Sequence, residues 1–274
     1  MKSPQSVIIL FAAFYDPWMS GAERCVQEIV ERLAPRYRFV LFTSRLSRNV
    51  AAREQRAGYE IRRVGIGTPL DKWLFPILAP IAALSVRASL VHAVMESYAG
   101  IALLVYGWLR PRTRRMLTLQ SGDLDSEKKQ QRIPSWLWKK IHTQPHLITA
   151  ISGFLADRAR RMGAPNERIE IVPNGVDLSR FSPRPRSQAV QGRIVTIARL
   201  SWEKGLPDLL DALALIRKTH AHAHLVLIGG GALREELEQQ AIKLGIRDAV
   251  DFRGTLPNAE AMELAKTGEV FVCP

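Results

Sequence analysis

IVTIARLSWEKG, residues 194–205, decides how the rest of the chain is read. A β-branched run ends at Ala198, and Arg199 and Lys204 follow within a short loop. Gly205 permits a turn, and Leu206 opens a run of helical period to Thr219. Strand, cationic loop and helix start in that order suit a diphosphate. A guanidinium fork and an ammonium can hold its charge without a metal, and the new helix offers unpaired backbone N–H groups. Arg and Lys are also common at strand ends, so spacing alone leaves a solvated loop as the alternative.

Working outward, the same grammar recurs. Val7–Phe14, Arg38–Thr43, Glu60–Val64, Leu90–Val94, Arg115–Gln120, Leu147–Ile151 and Ile169–Val172 read as strands. Gly21–Ala34, Asp71–Arg87, Tyr98–Leu109, Pro134–His142 and Gly153–Met162 read as helices between them. Pro76 and Pro80 are expected to kink or split the second helix. The alternation implies mostly parallel sheets covered by helices. The Pro-rich SPRPRSQAVQG (182–192) breaks the pattern. It places a first domain over 1–183, a linker over 184–192 and a second domain over 193–274. The second holds strands Arg193–Ala198, His224–Ile228, Ala249–Phe252 and Glu269–Cys273 with three helices between them. A last strand with no helix after it suggests a piece of a longer protein.

Composition is that of a globular protein: 274 residues, 47% hydrophobic and 24% charged. The net charge of +13 is uneven, since residues 1–190 hold 29 basic against 15 acidic side chains while 191–274 hold 10 against 11. A basic first part points to an anionic partner or to a solubilising face. Its basic clusters are Arg110–Arg115 and Lys128, Lys129, Arg132, Lys139 and Lys140. No recognised binding motif accompanies them, so nucleic acid is not expected. The apolar stretches 73–84 and 98–109 fall well short of the roughly 20 residues that span a bilayer. The one carrying Trp73 and Phe75 beside Lys72 suits a surface-dipping helix as well as a core helix. Residues 7–15 read as a buried strand rather than a signal peptide. Cys25 and Cys273 lie in apolar segments and are expected to be buried thiols.

Gly229, Gly230 and Gly231 follow a strand and precede a helix. A dinucleotide fingerprint is incomplete because Arg234 stands at the third glycine's position. The loop therefore reads as lining a ligand cleft, with a plain structural turn as the alternative. Asp123 and Asp125 have the spacing of a carboxylate pair that holds a divalent ion on a diphosphate. Such three-residue patterns arise often by chance. His92, on a strand, reads as a core or cleft-wall residue.

ARLSWEKG closely resembles the start of the second domain in family 4 of the glycosyltransferases. SGAERCVQEIVERL (20–33), ISGFLADRARRMGAPNERIEIVPNGVDLSRF (151–181) and the stretch from His224 to Pro274 resemble that family in the same order. The resemblance implies a GT-B fold: two Rossmann-like, doubly wound α/β domains facing across a cleft, the second incomplete here. It implies transfer of a sugar from a nucleotide-diphosphate sugar to an acceptor hydroxyl, with retention and without a metal or cofactor. The acceptor would be a saccharide or a lipid-linked group in envelope polysaccharide or glycolipid synthesis. The place would be the cytoplasm or the inner face of its membrane, with an anionic membrane surface as partner.

By that resemblance Arg199 and Lys204 grip the donor diphosphate, and Gly21 lies in the loop near sugar and phosphates. Gly254 and Leu256, in FRGTLP, stand where backbone meets the nucleotide base. Asn174, with Gly175 and Asp177, marks the interdomain junction and counts among the donor-binding residues, while Gln120 and His92 would stand on the sugar or acceptor side. Two departures matter. Gln120, in TLQSGD, stands where many members carry a histidine, and an amide is neither cation nor base. The paired glutamates that contact the donor would follow VFVCP, where the sequence stops. A nucleotide-sugar epimerase of the same fold and an inactive nucleotide-sugar-binding fragment are the competing readings. An NAD-linked oxidoreductase fits least.

Overall fold

The computed structural model describes residues 5–120, 133–178, 185 and 188–274. They form two compact units, 1–175 and 176–274.

The first unit holds an eight-stranded sheet in the order β3-β4-β2-β1-β5-β6-β7-β8. Its strands are β1 Val7–Phe11, β2 Arg38–Ser44, β3 Arg53–Arg56, β4 Tyr59–Val64, β5 Leu90–Val94, β6 Arg114–Leu119, β7 Leu147–Ala150 and β8 Ile169–Ile171. All pairings are parallel except β3 with β4. The inner strands are apolar on both faces because helices cover both, as expected of a parallel sheet. Ile9, Phe11, Phe42, Val91 and Leu117 face one cluster, while Leu10, Phe39, Leu41 and Ile61 face the other.

The covering helices are α1 Gly21–Leu33, α2 Asp71–Ala83, α3 Tyr98–Leu109, α4 Ser135–Thr143 and α5 Gly153–Arg161. Val26 and Val30, one turn apart on α1, enter the core against the sheet. Contrary to the expectation of a split, α2 runs as one helix through Pro76 and Pro80. Both rings are buried, so lost hydrogen bonds are offset by burial of apolar surface.

The second unit has a four-stranded parallel sheet, β11-β10-β9-β12. Its elements are β9 Val190–Ile197, α6 Leu206–Arg217, β10 His224–Ile228, α7 Arg234–Lys243, β11 Val250–Gly254, α8 Asn258–Ala265 and β12 Gly268–Phe271. Strand β9 begins at Val190, inside the stretch expected as linker, because Val190 donates its N–H to Thr267 O and pairs with β12. Leu206, Leu210, Leu213, Leu225 and Leu237 form the core on one face of this sheet. Cys25 is half-buried and Cys273 is exposed, which corrects the expectation of two buried thiols. Cys273 follows edge strand β12, whose Val270 and Phe271 are themselves exposed.

Candidate functional site

In the first unit, β1 lies between β2 and β5, so the connections leaving β1 and β5 diverge. That arrangement opens a crevice at the strands' carboxyl ends, where open α/β sheets bind ligands. Ala13, Phe14, Ala22, Glu23, Met95 and Ser97 line it. Met95 has φ +75°, a left-handed conformation that a non-glycine residue rarely adopts. It is held there by its N–H donating to Thr118 O.

The loop from β1 to α1 is pinned from the side. Tyr15 is buried with its hydroxyl 3.2 Å from that of Tyr59. Arg56 donates to the Asp16 carboxylate at 2.5 Å, and Arg63 to the Asp16 carbonyl at 3.1 Å. Glu54 bridges the two arginines. Burial would raise its pKa, but their hydrogen bonds and charges hold it below the ordinary value. Strand β3, which sequence reading missed, exists to place these groups. REQR has no apolar alternation, so no local period marks it as a strand.

At the loop's end Glu23 accepts from the Ser20 N–H at 2.8 Å and from the Ser20 hydroxyl, fixing the start of α1. Gly21, the first residue of α1, is exposed. Its φ is unexceptional, and a Cβ added there would meet nothing within 4 Å. Neither backbone nor packing requires this glycine, and its N–H lies at the positive end of the helix.

Gln120 follows β6 at the same carboxyl edge and donates from Nε2 to Asn174 Oδ1 at 3.4 Å. Gly21, Gln120 and Asn174 thus share one edge of the sheet. His92 does not join them. It sits inside β5, buried, with Nε2 2.7 Å from Thr118 Oγ1, which in turn meets Thr149 Oγ1 at 2.6 Å. Burial pushes its pKa down to about 4, leaving a neutral imidazole in the core of the sheet.

In the second unit every candidate lies at the carboxyl edge. The loop after β9 carries Arg199. A single 3-10 turn, Trp202–Lys204, then carries Lys204, and Gly205 at φ +61° admits α6. The loop after β10 supports that loop backbone to backbone. Ala198 N–H donates to Ile228 O, Leu200 N–H to Gly230 O, and Leu233 N–H to Leu200 O. A Cβ on Gly229 would stand 1.9 Å from Ala198 O, and one on Gly231 2.3 Å from Leu200 O. These two glycines therefore hold the Arg199 loop by close approach, whatever else they line. Gly230 would meet only the Thr255 hydroxyl, at 2.6 Å. Gly254, at φ +70°, accepts from Gly229 N–H at 2.8 Å and ties in the third loop. Leu256 is half-buried and packs against the cluster formed by Val195, Val226, Ile228 and Ala261.

Arg199 is 63% exposed and Lys204 is half-buried. Both cations stand beside the start of α6, and Arg199 is paired there with the Glu203 carboxylate. Among the described residues, no three His, Cys, Asp or Glu gather as a metal site. Asp123 and Asp125, together with Lys128, Lys129 and Arg132, lie outside the described residues.

Comparison with known proteins agrees with this architecture. The chain is 28% identical over 226 residues to a GDP-mannose-dependent alpha-(1-6)-phosphatidylinositol monomannoside mannosyltransferase of Mycobacterium tuberculosis, covering 78% of the chain and 52% of that protein. The chain spans about a third to a half of the curated relatives it matches first. Among solved structures it resembles a sucrose-phosphate synthase of Thermosynechococcus elongatus, with TM-score 0.77, 19% identity, and coverage of 98% of this chain and 75% of that one. Anabaena HepE in complex with UDP-glucose gives TM-score 0.67, 18% identity and coverage of 94% and 71%. These likenesses show the GT-B fold. Residues 19–180 match Glycosyltransferase Family 4 and residues 181–274 match glycosyl transferases group 1, so the chain belongs to the family 4 glycosyltransferases.

Proposed function

We propose that the protein moves a sugar from a nucleotide-diphosphate sugar to an acceptor hydroxyl, with retention and without a metal. The observation that carries this is the Arg199 and Lys204 loop, braced by Gly229 and Gly231 at the start of α6. As the bond between the anomeric carbon and phosphate oxygen breaks, negative charge builds on the departing diphosphate. A fixed guanidinium and ammonium stabilise that charge more than the ground state, which lowers the barrier. In this reading Gly229–Gly231, Gly254 and Leu256 border the donor. Gly21 and Asn174, read as donor-binding, and Gln120, read as facing sugar or acceptor, stand together on the first unit's carboxyl edge. Gln120 hydrogen-bonds there but supplies neither charge nor base.

The acceptor is a saccharide or lipid-linked group, and the place of reaction is the inner face of the cytoplasmic membrane. Support comes from the basic first part of the chain and from the relative named for a phosphatidylinositol mannoside acceptor. The test is Arg199→Ala with Lys204→Ala in a chain carried on to the length of its relatives. Transfer should be abolished with the fold intact, and the parent should release free nucleoside diphosphate rather than an isomerised donor. Normal turnover in the double variant would overturn the assignment.

A further inference from the structure

Arg234 is the first residue of α7, where the helix dipole favours acids such as the Glu235 and Glu236 that follow and disfavours a cation. Its guanidinium is nonetheless held in place. Nε donates to Glu238 Oε1 at 3.0 Å, one turn along, and the fork's central carbon lies 5.7 Å from the centre of the Phe252 ring. Arg247 caps the same ring at 5.2 Å, so Phe252 has a cation over it without Arg234. With Nε engaged, the edge formed by Nη1 and Nη2 holds no hydrogen bond among the described residues, and the side chain is 43% exposed. A guanidinium fixed on one side and free on the other is a recognition group in waiting.

Its place says what it recognises. Nη1 lies at the end of β11, where a Cβ on Gly254 would stand 3.8 Å from it. Gly254 turns the chain at φ +70° with no side chain between its backbone and the fork. The hydroxyl of exposed Thr255 stands 2.6 Å from where a Cβ on Gly230 would lie, so it joins the loops after β10 and β11. Strands β9, β10 and β11 are neighbours in the sheet. Two strand spacings, about 10 Å, therefore separate the Arg199 loop from the Gly254 turn. A diphosphate held by Arg199 and Lys204 would carry its nucleoside over a comparable distance. The opposite direction is taken, because toward β12 Pro274 stands 3.3 Å from where a Cβ on Gly205 would lie. The nucleoside runs toward β11, and its base ends beside Arg234.

We infer that Arg234 reads the base of the donor nucleotide and selects guanine, an inference that rests on the proposed transferase reading. The two parallel N–H groups of a guanidinium edge match two adjacent acceptors, and guanine offers them as O6 and N7. Adenine sets an amino donor beside N7, and uracil sets a ring N–H beside O4, so each meets the fork with one acceptor. Glu238 and Phe252 hold the fork before the base arrives, so little conformational freedom is lost on binding. Arg234 is thus a specificity residue, while the grip on the diphosphate stays with Arg199 and Lys204.

The experiment is isothermal titration of the chain with GDP, UDP and ADP. The parent should bind GDP at least about tenfold more tightly than either of the others. Arg234→Met should weaken GDP about thirtyfold and the other two by less than about threefold. Arg234→Lys keeps a cation over Phe252 but has no fork, so it too should lose the preference for GDP. Urea melts check that both variants are folded. Arg199→Ala with Lys204→Ala should weaken all three nucleotides alike. A parent with no preference for GDP, or a folded Arg234 variant that keeps the preference, overturns the inference. So does an equal loss of all three nucleotides in Arg234→Met, which would make Arg234 a further cation on the diphosphate. Equal binding of the three that disappears with Arg199 and Lys204 defeats the assignment of Arg234 and leaves the transferase reading standing. Absence of nucleotide binding by the parent defeats both.

Discussion

The Arg199 guanidinium donates to Glu203 Oε1 across 3.1 Å, and the Ser201 hydroxyl donates to the same oxygen at 2.6 Å. The Glu203 side chain is only 9% exposed, whereas that of Arg199 is 63% exposed, so the carboxylate anchors and the guanidinium reaches out. The Ser201 hydrogen bond, and then the charges of Arg199 and Lys204, hold the Glu203 pKa below its ordinary value. Glu203 therefore stays ionised at neutral pH and fixes the fork while leaving other N–H groups to face a diphosphate. Glu203→Gln should lower kcat/KM for the donor about fivefold to tenfold, with the fall mainly in kcat, through loss of the charge-assisted bond that aims Arg199 at the departing diphosphate. Initial rates of the variant against donor concentration check this. Tighter donor binding would mean that Glu203 competes with the diphosphate rather than aiming Arg199.

Glycines in the two units should part company under substitution. Gly229→Ala and Gly231→Ala drive a Cβ into the carbonyls of Ala198 and Leu200, and both positions have positive φ. Each should lower stability by about 3 kcal/mol and loosen the Arg199 loop. Gly230→Ala, meeting one side-chain oxygen, should be milder. Gly21→Ala meets nothing, so stability should stay within about 0.5 kcal/mol of the parent or rise. If a ligand approaches that helix start, transfer should nonetheless fall on the order of a hundredfold. Urea melts and initial rates on the four variants make the comparison, and an active Gly21→Ala enzyme would reduce that residue to a turn.

What could be read in the sequence, and what could not, follows from where each signal resides. Inner strands such as Val7–Phe11 and His224–Ile228 announce themselves because burial on both faces writes an unbroken apolar run. Strand Arg53–Arg56 is an antiparallel edge whose side chains serve the Asp16 loop, a relation between positions 40 residues apart that no local pattern encodes. The work of Gly229 and Gly231 was hidden for a similar reason: it depends on β9 lying beside β10. Pro76 and Pro80 do not split the helix, because both rings are buried, which a propensity argument cannot see. Cys273 misled because an apolar segment at a sheet edge looks like one at its centre.

Asp71 governs the entry to α2. Its carboxylate accepts N–H groups from Ile66 at 3.1 Å, Gly67 at 2.7 Å and Thr68 at 3.1 Å, and it is wholly buried. A Cβ on Gly65 would lie 2.2 Å from the Asp71 carboxyl carbon, so chain and side chain are closed on each other. Asp71→Ala leaves three backbone donors without their acceptor. The expected loss is about 3 kcal/mol, with Asp71→Asn intermediate because one acceptor oxygen remains. Equilibrium urea unfolding measures it, and a loss under about 0.5 kcal/mol would show that water replaces the carboxylate at no penalty.

Acid should destabilise the first unit through His92 before most carboxylates titrate. The folded pKa is about 4 against an ordinary 6.5, because the ring is buried beside Thr118 with no counter-charge. Above pH 6.5 the imidazole is neutral in both states and has no effect on folding. Below it the unfolded chain takes up a proton that the folded chain refuses, so stability falls as pH drops toward 4. The full loss is about 3 kcal/mol, the equivalent of the difference between the two pKa values. Burial lowers His142 as well, so it adds with the same sign. His92→Gln keeps a hydrogen-bonding group without the titration. Its melting temperature should be lower than the parent's at pH 7.5 yet decline less between pH 6.5 and pH 4.5. Parallel curves for parent and variant over that range would show that His92 takes up its proton in the folded state, and the buried neutral imidazole would have to be abandoned.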